Sequence, residues 1–288
     1  MAAERSDKMY DFAVLGGDLR QAYMAKQLSE RGFSVITYGI VSGEKQADSM
    51  EEAVVNARAL IGPIPFSKDR ENLVSMACRE DFGIEDVKRC LTKGQSIFAG
   101  CIPDDFCGYC QHIGVDVHDF MKMDAVAVKN AVSTAEGAVA EAGFDSPLQI
   151  QGSQCLVLGF GRCGSVLAEK LNLWSAKVTV AARKPTQRAQ AESFGMNAVS
   201  LENLKQEISQ ADFIFNTIPA LVLDRECLEF AKKDVLIVDI ASAPGGVDFE
   251  AAEELGIDAR LCLGIPGKYA ACSAAAILTE TMITEWDV

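Results

Sequence analysis

The run Cys155-Leu156-Val157-Leu158-Gly159-Phe160-Gly161-Arg162-Cys163-Gly164 decides the fold. An apolar strand feeds GxGxxG, and a helix-like pattern over 162–174 follows. Strand, glycine turn and helix in that order form the dinucleotide-binding arrangement. Gly159 permits the tight turn. Gly161 lets the backbone approach a pyrophosphate, whose charge the helix N-terminus favours, and Gly164 lets helix and strand pack closely. Phe160, Arg162 and Cys163 complete the turn. The motif begins midway along 288 residues, after a complete α/β pattern. A cofactor domain is therefore expected behind a substrate domain.

Working outward, the second half alternates strands at 154–158, 177–181, 212–215, 235–239 and near 259–263 with helices at 162–174, 186–194, 201–209, 224–231 and 248–255. The first half opens with a strand at 10–16, a Gly16-Gly17-Asp18 turn, a helix ending near Gly32 and a strand at 33–38. A helix within 51–64, a short strand at 59–61, a helix at 84–91 and strands at 95–99 and 115–119 follow. Alternating β and α elements predict parallel sheets. The expected fold is α/β, with two doubly wound Rossmann-like domains and an interdomain cleft. The expected domains are 1–125 (substrate), 126–147 (a linking helix), 148–268 (NAD(P)-binding) and 269–288 (a helix returning to the first domain).

Composition agrees with an ordinary globular protein: 49% hydrophobic, with 27 basic against 41 acidic residues, a net charge of −14. That balance disfavours non-specific nucleic-acid or anionic-membrane binding. The polar start has no apolar signal region, and no run resembles a membrane span. Ten cysteines in a chain this large fit a reducing cytosol better than a disulfide framework.

Cofactor choice is read at the end of the second strand, Val180-Ala181-Ala182-Arg183-Lys184. NAD sites carry an acidic residue there. Arg183 and Lys184 favour NADP over NAD, since a guanidinium binds a 2′-phosphate and stacks on adenine; solvated strand-end charges are the alternative. Asn216-Thr217-Ile218-Pro219 and Asp239-Ile240-Ala241-Ser242 end the next two strands on the edge where ligands bind. Asn216, Thr217, Ile218, Pro219, Asp239, Ala241 and Ser242 are expected at the cofactor, with local capping the alternative for Asp239.

In the first half, Gly16-Gly17-Asp18 lacks the full glycine motif and is expected to shape a cleft wall, with a second cofactor site the alternative. Arg20, at a helix start the dipole disfavours for a cation, is a candidate for a substrate carboxylate. Ser67, Lys68 and Arg70 follow a proline-rich strand end. Asn130 and Thr134 share a helical face; with Glu136 they line a cleft or pack as satisfied core. Lys268 is the best cationic candidate for an anionic substrate. His118 and Glu136 are candidate bases. Cys107-Gly108-Tyr109-Cys110, with Cys101, His112 and His118 nearby, lacks a second ligand pair, so packing cysteines are favoured over a metal or redox site.

Taken in order, these pieces resemble the A subunits of the dipicolinate synthases of spore-forming bacteria. The resemblance is carried by Gly16-Gly17-Asp18-Leu19-Arg20-Gln21, Asn130 with Thr134-Ala135-Glu136-Gly137, Leu158 to Gly164, Asn216 to Pro219, Asp239 to Phe249 and Gly264 to Lys268. Ser133, Ala271 and Ala275 depart from the pattern. The resemblance implies an architecture like alanine dehydrogenase and adenosylhomocysteinase relatives. It also implies NADP-dependent oxidation, with dehydration, of a dihydrodipicolinate-level precursor from the diaminopimelate–lysine branch to pyridine-2,6-dicarboxylate. Implied with it are a homo-oligomer, the mother-cell cytoplasm and a partner, the flavoprotein-like B subunit. The alternatives are a dehydrogenase of another amino or keto acid, or a non-catalytic nucleotide-binding scaffold for the B subunit.

Overall fold

The computed structural model describes residues 9–77, 82–144 and 146–286. The chain divides into two compact units, one of residues 1–127 with 271–288, the other of 128–270.

The first unit runs β1 (Tyr10–Leu15), α1 (Leu19–Glu30), β2 (Val35–Tyr38), β3 (Lys45–Gln46), α2 (Met50–Val55), β4 (Ala57–Ile61), α3 (Ile84–Cys90), β5 (Ser96–Ala99), α4 (Asp104–Ile113) and β6 (Asp116–Asp119). Its sheet is parallel throughout, in the order β3-β2-β1-β4-β5-β6. β1 and β4 are almost continuously apolar because helices cover both faces of the sheet. One core face gathers Leu15, Ile36, Leu60, Phe66 and Phe106. The other packs Phe12, Val14, Met24 and Leu28 against Ala275, Leu278 and Met282 of the C-terminal helix Ala271–Glu285. Trp286 closes that face at 4.4 Å from Phe12, with the Arg58 guanidinium 5.1 Å from its ring centre.

α5 (Asp124–Gly143) leads into the second unit, which repeats the plan: β7 (Gln154–Leu158), α6 (Arg162–Leu173), β8 (Lys177–Ala181), α7 (Pro185–Ser193), β9 (Asn197–Val199), α8 (Leu204–Ile208), β10 (Phe213–Asn216), α9 (Arg225–Leu228), β11 (Leu236–Asp239), α10 (Phe249–Leu255), β12 (Asp258–Leu261) and α11 (Ile265–Tyr269). Its parallel sheet reads β12-β11-β10-β7-β8-β9, the same strand order with the motif strand central. Both sheets are therefore doubly wound Rossmann-like sheets. No helix among the described residues is long and apolar enough to cross a membrane.

Several elements go beyond the sequence pattern. β3 and β9 are too short to show a period. The cysteine-rich segment forms α4, with Asp104 and Asp105 in its first turn and Gly114 at φ 78° ending it. Cys110 is buried in the core and Cys107 packs beside it. Burial pushes the Cys110 thiol up to about 12.

Candidate functional site

Each sheet presents a glycine turn at the carboxyl end of its first strand, and the two turns differ in what occupies them. In the first unit the Gly17 amide donates to the Val74 carbonyl at 2.8 Å, and the Met76 amide to the Gly17 carbonyl at 3.1 Å. A Cβ on Gly16 would lie 2.5 Å from the Phe82 ring and 2.7 Å from the Val74 carbonyl. The chain itself thus fills the place a phosphate would take. The following helix is also capped: Asp18 accepts from the Arg20 amide, and Gln21 reaches back to the Asp18 amide.

Arg20 belongs to this closed turn. Its Nη2 lies 2.7 Å from Asp18 Oδ2 and 2.5 Å from the Ile64 carbonyl, and its Nε donates to Asp18 at 3.0 Å. The residue is 7% exposed. The expected carboxylate contact is replaced by a tie between the α1 cap and the chain leaving β4. Ser67 likewise serves its own loop, bonding Asp69 and the Arg70 amide.

In the second unit the turn is open. Gly159 adopts φ +92°, and its amide bonds the Ala181 carbonyl at 2.9 Å. A Cβ on Gly164 would meet the Gly159 carbonyl at 2.3 Å, so α6 reaches the turn only because that residue is glycine. Gly161 is the N-cap of α6, carries no side-chain cap, and a Cβ there would meet nothing within 4 Å. The space beside Gly161 is therefore uncrowded by the described residues, as close approach of an anion to a helix start requires. Phe160 is buried in the core, anchoring the turn, while Arg162 is exposed. Cys163 sits beside Thr134; burial raises its pKa, against the pull of Arg162 and a Thr134 hydrogen bond.

The next strand ends form a buried frame. Asn216 Nδ2 donates to Asp239 Oδ1 at 2.8 Å, and Asp239 also accepts from the amides of Ala241 (2.9 Å) and Gly246 (2.8 Å). Asn216 Oδ1 takes the Ile218 amide at 3.1 Å. Both side chains are fully buried and, at the strand ends where cofactor contacts were expected, they shape the 217–219 and 241–246 loops. Thr217 Oγ1 bonds the Leu158 carbonyl at 2.8 Å, fastening its loop to the motif strand. Pro219 and Ser242 are exposed on these two loops.

The long helix α5 separates its candidates. Thr134 Oγ1 donates to the Asn130 carbonyl at 2.8 Å, and Asn130 Oδ1 is buried with no hydrogen-bond partner among the described residues. Glu136 instead pairs with Lys170 at 2.9 Å, eight residues beyond Arg162 and so roughly 12 Å along α6 from its start. Lys268 pairs with Glu141 at 2.5 Å, seven residues past Thr134, or roughly 10 Å along α5. Hydrogen bonds from Lys268 and Tyr269 hold the Glu141 carboxyl below its usual range. Lys268 thus has a carboxylate partner while its side chain stays largely exposed. His118 lies flat on Phe98, ring centres 4.3 Å apart, within the first sheet.

Known proteins share this geometry. Residues 11–121 match the N-terminal domain of the dipicolinate synthase A subunit. Residues 124–250 match the NAD-binding domain of D-isomer specific 2-hydroxyacid dehydrogenases. The dipicolinate synthase A subunit of Bacillus subtilis (strain 168) is 28% identical over 281 residues, covering 94% of this chain and 93% of that protein. The chain is a relative of the dipicolinate synthase A subunits. The crystal structure of the one from Bacillus halodurans superposes with TM-score 0.87 at 26% identity, covering 97% of this chain and 98% of the other. The crystal structure of the one from Bacillus subtilis gives 0.84 at 26% identity, covering 98% and 97%.

Like the matched dehydrogenase domain, the second unit is a nicotinamide dinucleotide-binding domain of oxidoreductase type. The open, uncapped turn at Gly159–Gly164 fits that group, and the closed turn at Gly16–Asp18 does not. Arg183 and Lys184 are exposed where β8 ends, on the connection toward α7. Two residues escaped the sequence reading here. Gln187 Nε2 donates to the Phe160 carbonyl at 2.9 Å, and Arg188 Nη1 to the carbonyls of Ala182 and Arg183. Their signal was slight: polar residues in the first turns of a helix begun by Pro185.

Proposed function

We propose that this chain, working with a second subunit, oxidises a cyclic 2,6-dicarboxylate at the dihydro level to pyridine-2,6-dicarboxylate with NADP⁺. The supporting observation is the likeness of both units to the dipicolinate synthase A subunits, because the dinucleotide domain alone would leave the substrate open. Starting from the hydroxy-tetrahydro form, one water leaves, and two hydrogens leave as a hydride and a proton. Bound at the second unit, the nicotinamide supplies the hydride acceptor.

The chain's own residues bind and orient. The amides opening α6 hold the pyrophosphate, and Arg183 and Lys184 take the 2′-phosphate. The loops carrying Thr217, Ile218, Ala241 and Ser242 flank the nicotinamide end, held in place by the Asn216–Asp239 frame. The proton leaves to water, since Glu136 is tied to Lys170 and His118 is stacked on Phe98.

The test mixes the purified chain, by itself and with the second subunit, with freshly made product of dihydrodipicolinate synthase and NADP⁺ or NAD⁺. Dipicolinate is followed by its ultraviolet absorbance and reduced cofactor at 340 nm. Equimolar dipicolinate and NADPH from the pair is the expected result. Cofactor binding without dipicolinate from either mixture overturns the proposal. Dipicolinate from the chain by itself removes the second subunit from the chemistry.

A further inference from the structure

In a chain with 41 acidic against 27 basic residues, a cation without a carboxylate partner calls for an explanation. The described ion pairs of the second unit use Lys170, Lys205, Arg225, Lys232, Arg260 and Lys268. Arg183, Lys184 and Arg188 enter none of them, although all three cluster where β8 passes into α7.

Arg188 differs from the other two. Arg183 and Lys184 are exposed, whereas Arg188 is half-buried. Its Nη1 donates to the Ala182 carbonyl at 2.8 Å and the Arg183 carbonyl at 2.9 Å. Those carbonyls lie in the loop that carries Arg183 and Lys184. The neighbouring Gln187 is bonded to the Phe160 carbonyl of the glycine turn. The start of α7 is therefore stitched to both the loop and the turn. One amine of the guanidinium makes both carbonyl bonds, which leaves the Nε and Nη2 donors for another acceptor. An arginine already held by hydrogen bonds loses little further freedom on binding, and its fork suits a phosphate.

We propose that Arg188 is a specificity-determining residue of the dinucleotide site. It holds the Arg183–Lys184 loop in place and completes, with those two side chains, a cationic cup for a phosphomonoester dianion on the adenosine ribose. The proposal rests on the NADP reading above and adds to it a residue that does not itself lie in the exposed loop.

The test titrates wild type, Arg188→Gln and Arg188→Lys with NADPH, NADH, 2′,5′-ADP and 5′-AMP, using nicotinamide fluorescence or calorimetry, with thermal unfolding as the folding control. Wild type is expected to favour NADPH over NADH and 2′,5′-ADP over 5′-AMP. Arg188→Gln is expected to weaken NADPH and 2′,5′-ADP by roughly 10–100-fold and to leave NADH and 5′-AMP within about twofold, the size of one lost charge-assisted contact. Arg188→Lys keeps the charge but cannot span two carbonyls and a phosphate, so it should restore part of the preference. If Arg188→Gln does not fold, Arg188→Lys carries the test by the same ratio. Parallel weakening of NADPH and NADH overturns the proposal and makes Arg188 a loop clamp only. A wild-type preference that survives both variants overturns this proposal while leaving the NADP reading standing. Equal wild-type affinity for NADPH and NADH sinks the NADP reading, and this proposal with it.

Discussion

The two glycine turns occupy the same place in two sheets of the same strand order, yet they differ in how the helix start after them is capped. At Gly16–Asp18 the backbone amide is taken by Val74, the space by Phe82 and the helix start by the Asp18 carboxylate. At Gly159–Gly164 a Cβ on Gly159 would meet Thr217 Oγ1 at 2.5 Å, but the N-cap is Gly161, which brings no capping side chain and has open space beside it. A Rossmann-like sheet therefore does not by itself confer a nucleotide site. The helix N-terminus binds an anion only where the chain has not already supplied one of its own.

The comparison can be broken most forcefully at Arg20. Arg20→Met leaves Asp18 without its cation and the Ile64 carbonyl without its donor. Loss of about 2–4 kcal/mol is expected in denaturant unfolding, with NADPH affinity unchanged in the folded fraction. A variant as stable as wild type would show that the closed turn needs no such tie.

Gly161→Asp gives the open turn the cap chemistry of the closed one. The added side chain meets open space, so stability should shift by only about a few tenths of a kcal/mol. Affinity for NADPH and NADH should fall together, by about a hundredfold, because a carboxylate then competes with the pyrophosphate. Unchanged titrations would refute the anion role of this helix start.

Arg183→Asp sharpens the contrast further, since it touches only the loop beyond β8. NADPH should weaken roughly tenfold while NADH holds or improves. An unchanged NADPH-to-NADH ratio would return the loop to an ordinary solvated surface.

The smallest effect is expected at Glu141→Gln, remote from either turn. Hydrogen bonds from Lys268 and Tyr269 depress the Glu141 pKa, so its contribution to stability is present above the unfolded value of about 4.3 and is lost as pH falls through the lower folded value. Wild type should exceed the variant modestly above about pH 5, and the two unfolding curves should converge in acid. A constant gap at all pH values would assign the effect to packing instead of charge.

Legibility followed the range of the interaction. The core strands of both sheets were readable because buried parallel strands are continuous apolar runs. β3 and β9 are too brief for any period, and α4 hides in cysteine, glycine and tyrosine of modest helix propensity. Among site residues, the glycine turn was readable as a local string. The partner of Lys268 was not, because Glu141 lies 127 positions earlier in the chain. Glu136 and Lys170 are 34 apart, and Arg20 reaches Ile64 across 44 positions. Asn216 and Asp239 fell on the expected strand ends but turn inward to each other.

Two α/β units in succession, and a GxGxxG turn opening the second, were legible without the fold. Both depend on short-range patterns: apolar runs, glycines where a turn or close approach demands them, and basic residues after a strand. Which candidate charges have a partner emerged from folding alone. An ion pair is made by residues that folding brings together, and no local string reports its partner. It is also the tertiary structure that separates the two turns. The Val74 carbonyl and the Phe82 ring that fill the first arrive from a loop remote in sequence, and nothing described in the second unit does the same at Gly161.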